Sequence, residues 1–266
     1  MKMKINAIAV VVAGIVAGVS GSAMAGTWTD MGNGGTFEIK GTLTTEKDNT
    51  PWQVKVGAPL VVDGNIKKGA SEFSKALTSP ASILSIRHKD TAGFLGSATG
   101  LSPQIDFGGK IDLSKANKGM APLVLDVMDE AGSVKIGTLQ SQVALAAVGS
   151  EAPVNNLADR TCWSIDAVQG SAFSGGLPTS DKIIAPDYES AYAKIAKLDA
   201  ELNNMSSCNS KMTGSSAFWF TTARTKYNSN YVAAFDTGSV IKLTLDAPAA
   251  ADIKWKASLP VTVSYI

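Results

Sequence analysis

Reactive side chains are scarce in this chain: its 266 residues include one histidine and two cysteines. Any Ser-His-Asp or Cys-His site would have to use His88. That residue lies in Arg87-His88-Lys89-Asp90, which reads as a strand end running into a turn, with His88 solvated at the surface. With no third cysteine and no second histidine, a zinc site is not expected. There is no phosphate-binding loop, no G-x-S-x-G elbow and no H-E-x-x-H helix. The carboxylates are scattered, so none pairs by sequence as acid and base. Most hydrolases are thereby argued against, though not a two-carboxylate glycosidase. The expectation is a protein that is not an enzyme and uses no cofactor.

Charge runs are also missing. Without Lys2 and Lys4, the 24 basic residues fall to 22 against 23 acidic ones, a net charge of −1. No basic patch points to nucleic acid or to an anionic membrane. Beyond residue 25 no apolar run approaches the ~20 residues of a membrane span. No repeat period and no low-complexity tract is found.

The first 25 residues read as a secretory signal peptide. Lys2 and Lys4 form a basic start, Ile5–Val19 an apolar run, and Ala23-Met24-Ala25 a cleavage site. The remaining chain of about 240 residues is long enough to bury ~70% of its unfolded surface. In an exported chain, Cys162 and Cys208 pair by default, two free thiols being the alternative.

The two ends of that exported chain show matching patterns. In Trp255–Ile266, the residues Trp255, Ala257, Leu259, Val261, Val263 and Tyr265 fall at strict period two and predict one face of a β-strand. Nothing after it can turn back to pair with it. Near the other end, after Gly32–Gly35, the residues Phe37, Ile39, Gly41 and Leu43 line one face of a second alternating stretch. An arm with one such strand cannot bury that face alone. The two stretches can answer each other within one molecule or between neighbouring copies.

Between them the texture is β. Thr44–Thr50 reads as a linker, and Trp52–Val56, Leu60–Val62, Ile83–Ile86, Ile105–Phe107 and Ile111–Leu113 as short strands. Leu123–Met128 and Ser133–Val143 flank a turn at Asp129-Glu130-Ala131-Gly132, a hairpin in which glycine supplies a positive φ. This spacing predicts an all-β sandwich. From about Val148 to Tyr231 the pattern changes. Tyr188, Tyr192, Ile195, Leu198 and Leu202 form a helix-period stripe with Asp187 as N-cap. The helix reads as part of an insertion bracketed by Cys162 and Cys208. Trp163, Trp219, Arg224, Tyr227 and Tyr231 supply aromatic faces near amide and hydroxyl groups. That combination suits carbohydrate, while packing inside the insertion's own core is the stronger expectation for the two tryptophans.

Several segments together resemble the FaeG-like adhesive major subunits of chaperone–usher fimbriae, of the kappa-clade type. They are Val54-Lys55-Val56-Gly57 after Trp52, Pro103-Gln104-Ile105-Asp106-Phe107, Gly137-Thr138-Leu139, Phe173 with Gly175-Gly176-Leu177-Pro178, and the ending Val261-Thr262-Val263-Ser264-Tyr265. The cysteine pair is not general in such subunits, and the segment 179–230 does not match residue by residue.

The resemblance implies an incomplete immunoglobulin-like sandwich with a helix-containing inserted subdomain, completed by donor-strand exchange. Residues 26–45 would be the donor arm and 46–266 the pilin domain, with the insertion at about 148–230. Phe37, Ile39, Gly41 and Leu43 would be the donor strand, and Leu259, Val261, Val263 and Tyr265 the acceptor strand. The implied partners are other copies of the subunit, a periplasmic chaperone, an outer-membrane usher and a host-cell glycoconjugate receptor. The implied route is export through the periplasm to a surface fimbrium. A purely structural pilin with a separate adhesin and a soluble secreted β-sandwich lectin are the competing expectations.

Overall fold

The computed structural model describes residues 50–97 and 101–266. The leader, the Gly32–Gly35 hinge and the arm with Phe37, Ile39, Gly41 and Leu43 lie outside the described residues. Period-two runs of aliphatic residues become β1 (Trp52–Val56), β2 (Glu72–Ala76), β3 (Ala81–His88), β4 (Phe94–Leu95), β5 (Pro103–Asp106), β6 (Met120–Asp129) and β7 (Lys135–Pro153). After β8 (Thr161–Ile165) comes the helix α1 (Tyr188–Leu198). The strands β9 (Ser210–Ser216), β10 (Thr225–Phe235), β11 (Val240–Leu245), β12 (Trp255–Ala257) and β13 (Thr262–Tyr265) follow.

The hairpin forms where the sequence predicts it. Gly132 takes φ +77°, and the Asp129 carboxylate accepts from the main-chain N–H of Ser133 and Val134. The 19-residue β7 then organises the body. Its first part pairs with β6 on one side and β11 on the other, and its last part with β10 and β8. One strand thus joins two layers, β12-β6-β7-β11-β2 and β1-β3-β10-β7-β8-β9. Between them pack Leu123, Leu125 and Val127 of β6, Leu139 of β7, Ile86 of β3, Tyr231 of β10 and Leu243 of β11. The fold is all-β and immunoglobulin-like.

Two short runs expected as strands are not. Leu60–Val62 has no regular structure. Ile111 makes only an isolated bridge to Leu123, and Leu113–Lys115 is a 3₁₀ turn because the Asp112 carboxylate caps it.

Asp187 caps α1 as expected, its side chain accepting from the N–H of Ser190 at 2.8 Å. Tyr188, Ala191, Ile195 and Leu198 are buried against Ala144, Ala146 and Val148 of β7 and Val232 and Ala234 of β10. The small alanines let the helix lie close, which is why β7 is buried on both faces from Val143 to Ser150. Full burial of Ile195, Leu198 and Leu202 contributes roughly 1.5–3 kcal/mol each. Pairing of β7 with β10 continues out to Pro153 opposite Thr225. The segment carrying α1 therefore lies between those residues, its strands β8 and β9 extending the second layer beyond β7, and Tyr227 and Tyr231 are part of β10. Within the segment Cys162 and Cys208 form a disulfide with a Cα–Cα distance of 5.9 Å. Closing the 46-residue separation stabilises by about 4 kcal/mol in the chain-entropy description.

His88 corrects the surface reading: it is fully buried. Its Nδ1 lies 3.2 Å from the N–H of Ser229, and its Nε2 lies 3.2 Å from the carbonyl of Asn204. Asn204 Nδ2 in turn donates to the His88 carbonyl at 3.0 Å. The cover arrives from a segment more than a hundred positions away, which no local pattern reveals. Burial pushes the imidazole below its ordinary value of 6.5, against the pull of the Ser229 and Asn204 carbonyls beside the ring nitrogens.

A depressed folded-state value means that the unfolded chain binds the proton more readily. The stabilisation is therefore complete above pH 6.5 and is lost as pH falls below it. In urea titrations the unfolding midpoint should drop between pH 7.5 and pH 5.5. His88→Gln, which carries no proton to gain, should show a flatter profile over the same range.

Candidate functional site

The terminal stretch keeps its face but not its continuity. Ile253, Trp255, Ala257, Leu259, Val261, Val263 and Tyr265 are all half-buried and packed against the core, while Lys254, Lys256, Ser258, Pro260 and Thr262 are exposed. The expected single strand is broken, because Pro260 has no N–H to offer a ladder. Before the break β12 pairs with β6, and after it β13 pairs with β5.

Beside this stretch runs an apolar trench. One wall is Trp255, Ala257, Leu259 and Val261; the other is Val56, Leu60 and Val62. Leu123, Leu125, Leu139 and Ile241 form the floor. The trench has a volume of about 260 Å³ in this part and about 410 Å³ in a second, more polar part lined by Ile66, Phe73, Leu243, Leu245 and Ile253 together with Asn65, Lys68 and Asp252. Val62 and Trp255 line both parts.

The walls also lack main-chain partners. Among the described residues, β12 is bonded only to β6, and β1 only to β3. Among the described residues, 58–66 make no main-chain to main-chain hydrogen bond. Val56 is 60% exposed and Val61 73%, a high exposure for aliphatic side chains grouped along one edge. An apolar floor between two unpaired edges is the shape that accepts an extended strand.

Of the expected acceptor residues, Leu259 and Val261 line the trench. Val263 and Tyr265 lie beyond it on β13, opposite Ile105 and Pro103. The facing wall at Val56–Val62 and the floor were not anticipated as site residues. The aliphatic run Leu60-Val61-Val62, in which Leu60 and Val61 are exposed and Val62 is buried, is the signal that could have found the wall.

The five candidate receptor residues are not brought together. Tyr231 is fully buried and donates its hydroxyl to the Gly176 carbonyl at 2.9 Å. Tyr227 is buried among Phe94, Phe218 and Phe220. Both are corrected from ligand contacts to core, since β10 directs them between the layers. Trp163 is half-buried. Trp219 and Arg224 are exposed, Trp219 by 46%. Their loop is held in place: Ser102 Oγ donates to the Trp219 carbonyl at 2.7 Å, and the Ser97 N–H donates to the carbonyl of Phe220 at 2.9 Å. Phe220 itself is buried with φ +54°, an uncommon conformation for an aromatic residue, maintained by the packing around it.

The family described as "Fimbrial, major and minor subunit", of the K88 type, matches residues 1–266. K88 fimbrial protein AB of Escherichia coli is 26% identical, over 94% of this chain and 96% of its own length. K88 fimbrial proteins AC and AD of the same organism are 24% and 25% identical with the same coverage. Members of such a family are structural rather than enzymatic, assemble with other subunits and are exposed on the cell surface in fimbriae. The chain belongs to the K88 fimbrial family and is a fimbrial subunit.

Proposed function

We propose that copies of this chain polymerise by donor-strand exchange, residues 36–43 of one copy filling the trench of the next, and that the resulting fibre is itself adhesive. The observation that carries the reading is the apolar trench between two unpaired edges. The arm offers what the trench requires, a period-two face of Phe37, Ile39, Gly41 and Leu43. Gly41, which has no side chain, would pass between Val62 and Trp255, the residues shared by both parts of the trench. Burying Phe37, Ile39 and Leu43 would contribute about 5–9 kcal/mol before any ladder hydrogen bonds form.

Before assembly the trench would leave apolar surface open. This supports a periplasmic chaperone that lends a strand and an outer-membrane usher that exchanges it. The route is then export, periplasm, usher, surface. For adhesion, the support is Trp219, an aromatic face exposed on a loop anchored at Phe220 and Ser102. A sugar ring stacks on such a face, and Arg224 adds a hydrogen-bond donor nearby in sequence. The receptor class is a host-cell glycoconjugate.

Expression of the full chain with its chaperone and usher should give a ladder on unheated detergent gels of the surface fraction. Removal of residues 26–44 should collapse the ladder to one band. A single band from both would overturn the exchange reading. Gly41→Leu should give a fainter, shorter ladder, because its side chain meets the Trp255 indole. Trp219→Ala should leave the ladder intact and abolish binding to host cells and glycan arrays. Unchanged binding would return the chain to a purely structural pilin.

A further inference from the structure

Resting on the donor-strand reading, we propose that filling of the trench and order in the inserted segment are coupled through the edge strand β1. This strand has two working faces. Trp52, Val54 and Val56 share one, and Val56 lines the trench. Gln53 and Lys55 share the other, where the turn after α1 crosses over them.

That crossing is made by polar contacts. Lys55 Nζ lies 2.8 Å from Asp199 Oδ2 and 3.2 Å from Glu201 Oε2. Arg87 Nε donates to Gln53 Oε1 at 2.9 Å, and Arg87 Nη1 donates to the Glu201 carbonyl at 3.1 Å. Asp199 is the junction. Its N–H donates to the Ile195 carbonyl and ends α1, its side chain accepts from Ser85 Oγ, and its carbonyl accepts from the N–H of Leu202. The Asp199 side chain is only 7% exposed. Burial by itself would raise its carboxyl, but the bonds from Lys55, Ser85 and the Glu201 N–H hold it below the ordinary range.

Apolar packing between β1 and the turn is thin. A cavity of about 350 Å³ separates them, lined by Gln53, Val54, Lys55, Ser85, Arg87 and Glu201 as well as Leu202. Along its other edge β1 has no partner among the described residues. A strand bonded on one side and backed by a cavity keeps freedom that a filled trench removes. Fixing Val56 from the front fixes its neighbour Lys55 behind it, and with it the turn at Asp199–Leu202. By linkage the reverse also holds: an ordered turn presents β1 ready for a donor strand. Assembly into a fibre thus tightens the inserted segment, and the segment in turn regulates how strongly the trench takes its strand.

The test uses the full mature chain with its own arm disabled by Ile39→Asp and Leu43→Asp, plus a synthetic peptide of residues 34–45. Backbone hydrogen exchange is followed in Gln53–Val56 and in 199–208. Peptide should slow exchange in both segments. In a Lys55→Met background it should slow exchange in β1 alone and bind about tenfold more weakly, the scale of an ordinary coupling between sites. Lys55→Arg, which keeps the ion pair, should restore both effects. Protection of β1 with no change in 199–208, or equal peptide affinity with Lys55→Met, would overturn the coupling and leave donor-strand exchange standing. Absence of any peptide binding would overturn both.

Discussion

Main-chain groups and apolar side chains must be covered together in a β-sandwich, and along one groove the described residues cover neither. The two layers approach each other at β12 and at the stretch following β1, and no strand of the described residues lies between. The remaining architecture is arranged around that opening. The floor comes from β6, β7 and β11, so the core continues into the trench rather than ending beneath it. Additional mass is placed elsewhere: the helix and its flanking segments pack on the opposite face of β7 and β10. A strand-accepting groove can stay open only if insertions avoid it.

The inserted segment is docked by two kinds of chemistry. At one end α1 lies on alanines and valines. At the other, a polar layer of His88, Asn228, Ser229, Asn230, Ser150 and Arg160 is buried, with Asn204 half-buried beside it. Asn230 Nδ2 donates to the carbonyl of Leu202 and to Asn204 Oδ1, and Arg160 Nη1 donates to Ser150 Oγ. Apolar contact gives the segment its affinity for the sheet, while directional bonds select one placement of it. The disulfide then fixes the covalent register of the same region.

How much of this was legible in the sequence follows from how local each signal is. The face of Trp255–Tyr265 was readable because alternation depends only on the strand itself. Its interruption was less so, although Pro260 stood in view. The hairpin at Gly132 and the cap at Asp187 were readable for the same reason, since both close within four or five residues. His88 was not, because Asn204 and Ser229 reach it from distant parts of the chain. Tyr227 and Tyr231 misled in a related way: surrounding asparagines and serines suggested a wet surface, but Asn228 and Asn230 lie on the other side of β10 and Ser229 is buried, its hydroxyl donating to the Val148 carbonyl. Of the trench, the sequence revealed one wall. The opposite wall lacks regular structure and therefore lacks a period to detect.

The disulfide has a mechanical consequence. A subunit held in a filament bears tension between its two ends, and if it yields, the length it releases limits how far the filament stretches. Cys162–Cys208 seals the 46-residue separation between them out of that path. The sealed portion corresponds to about 160 Å of fully extended chain. Under load the inserted segment would therefore keep its covalent shape while the surrounding strands unravel, and a surface carried on it would remain presented on a stretched fibre.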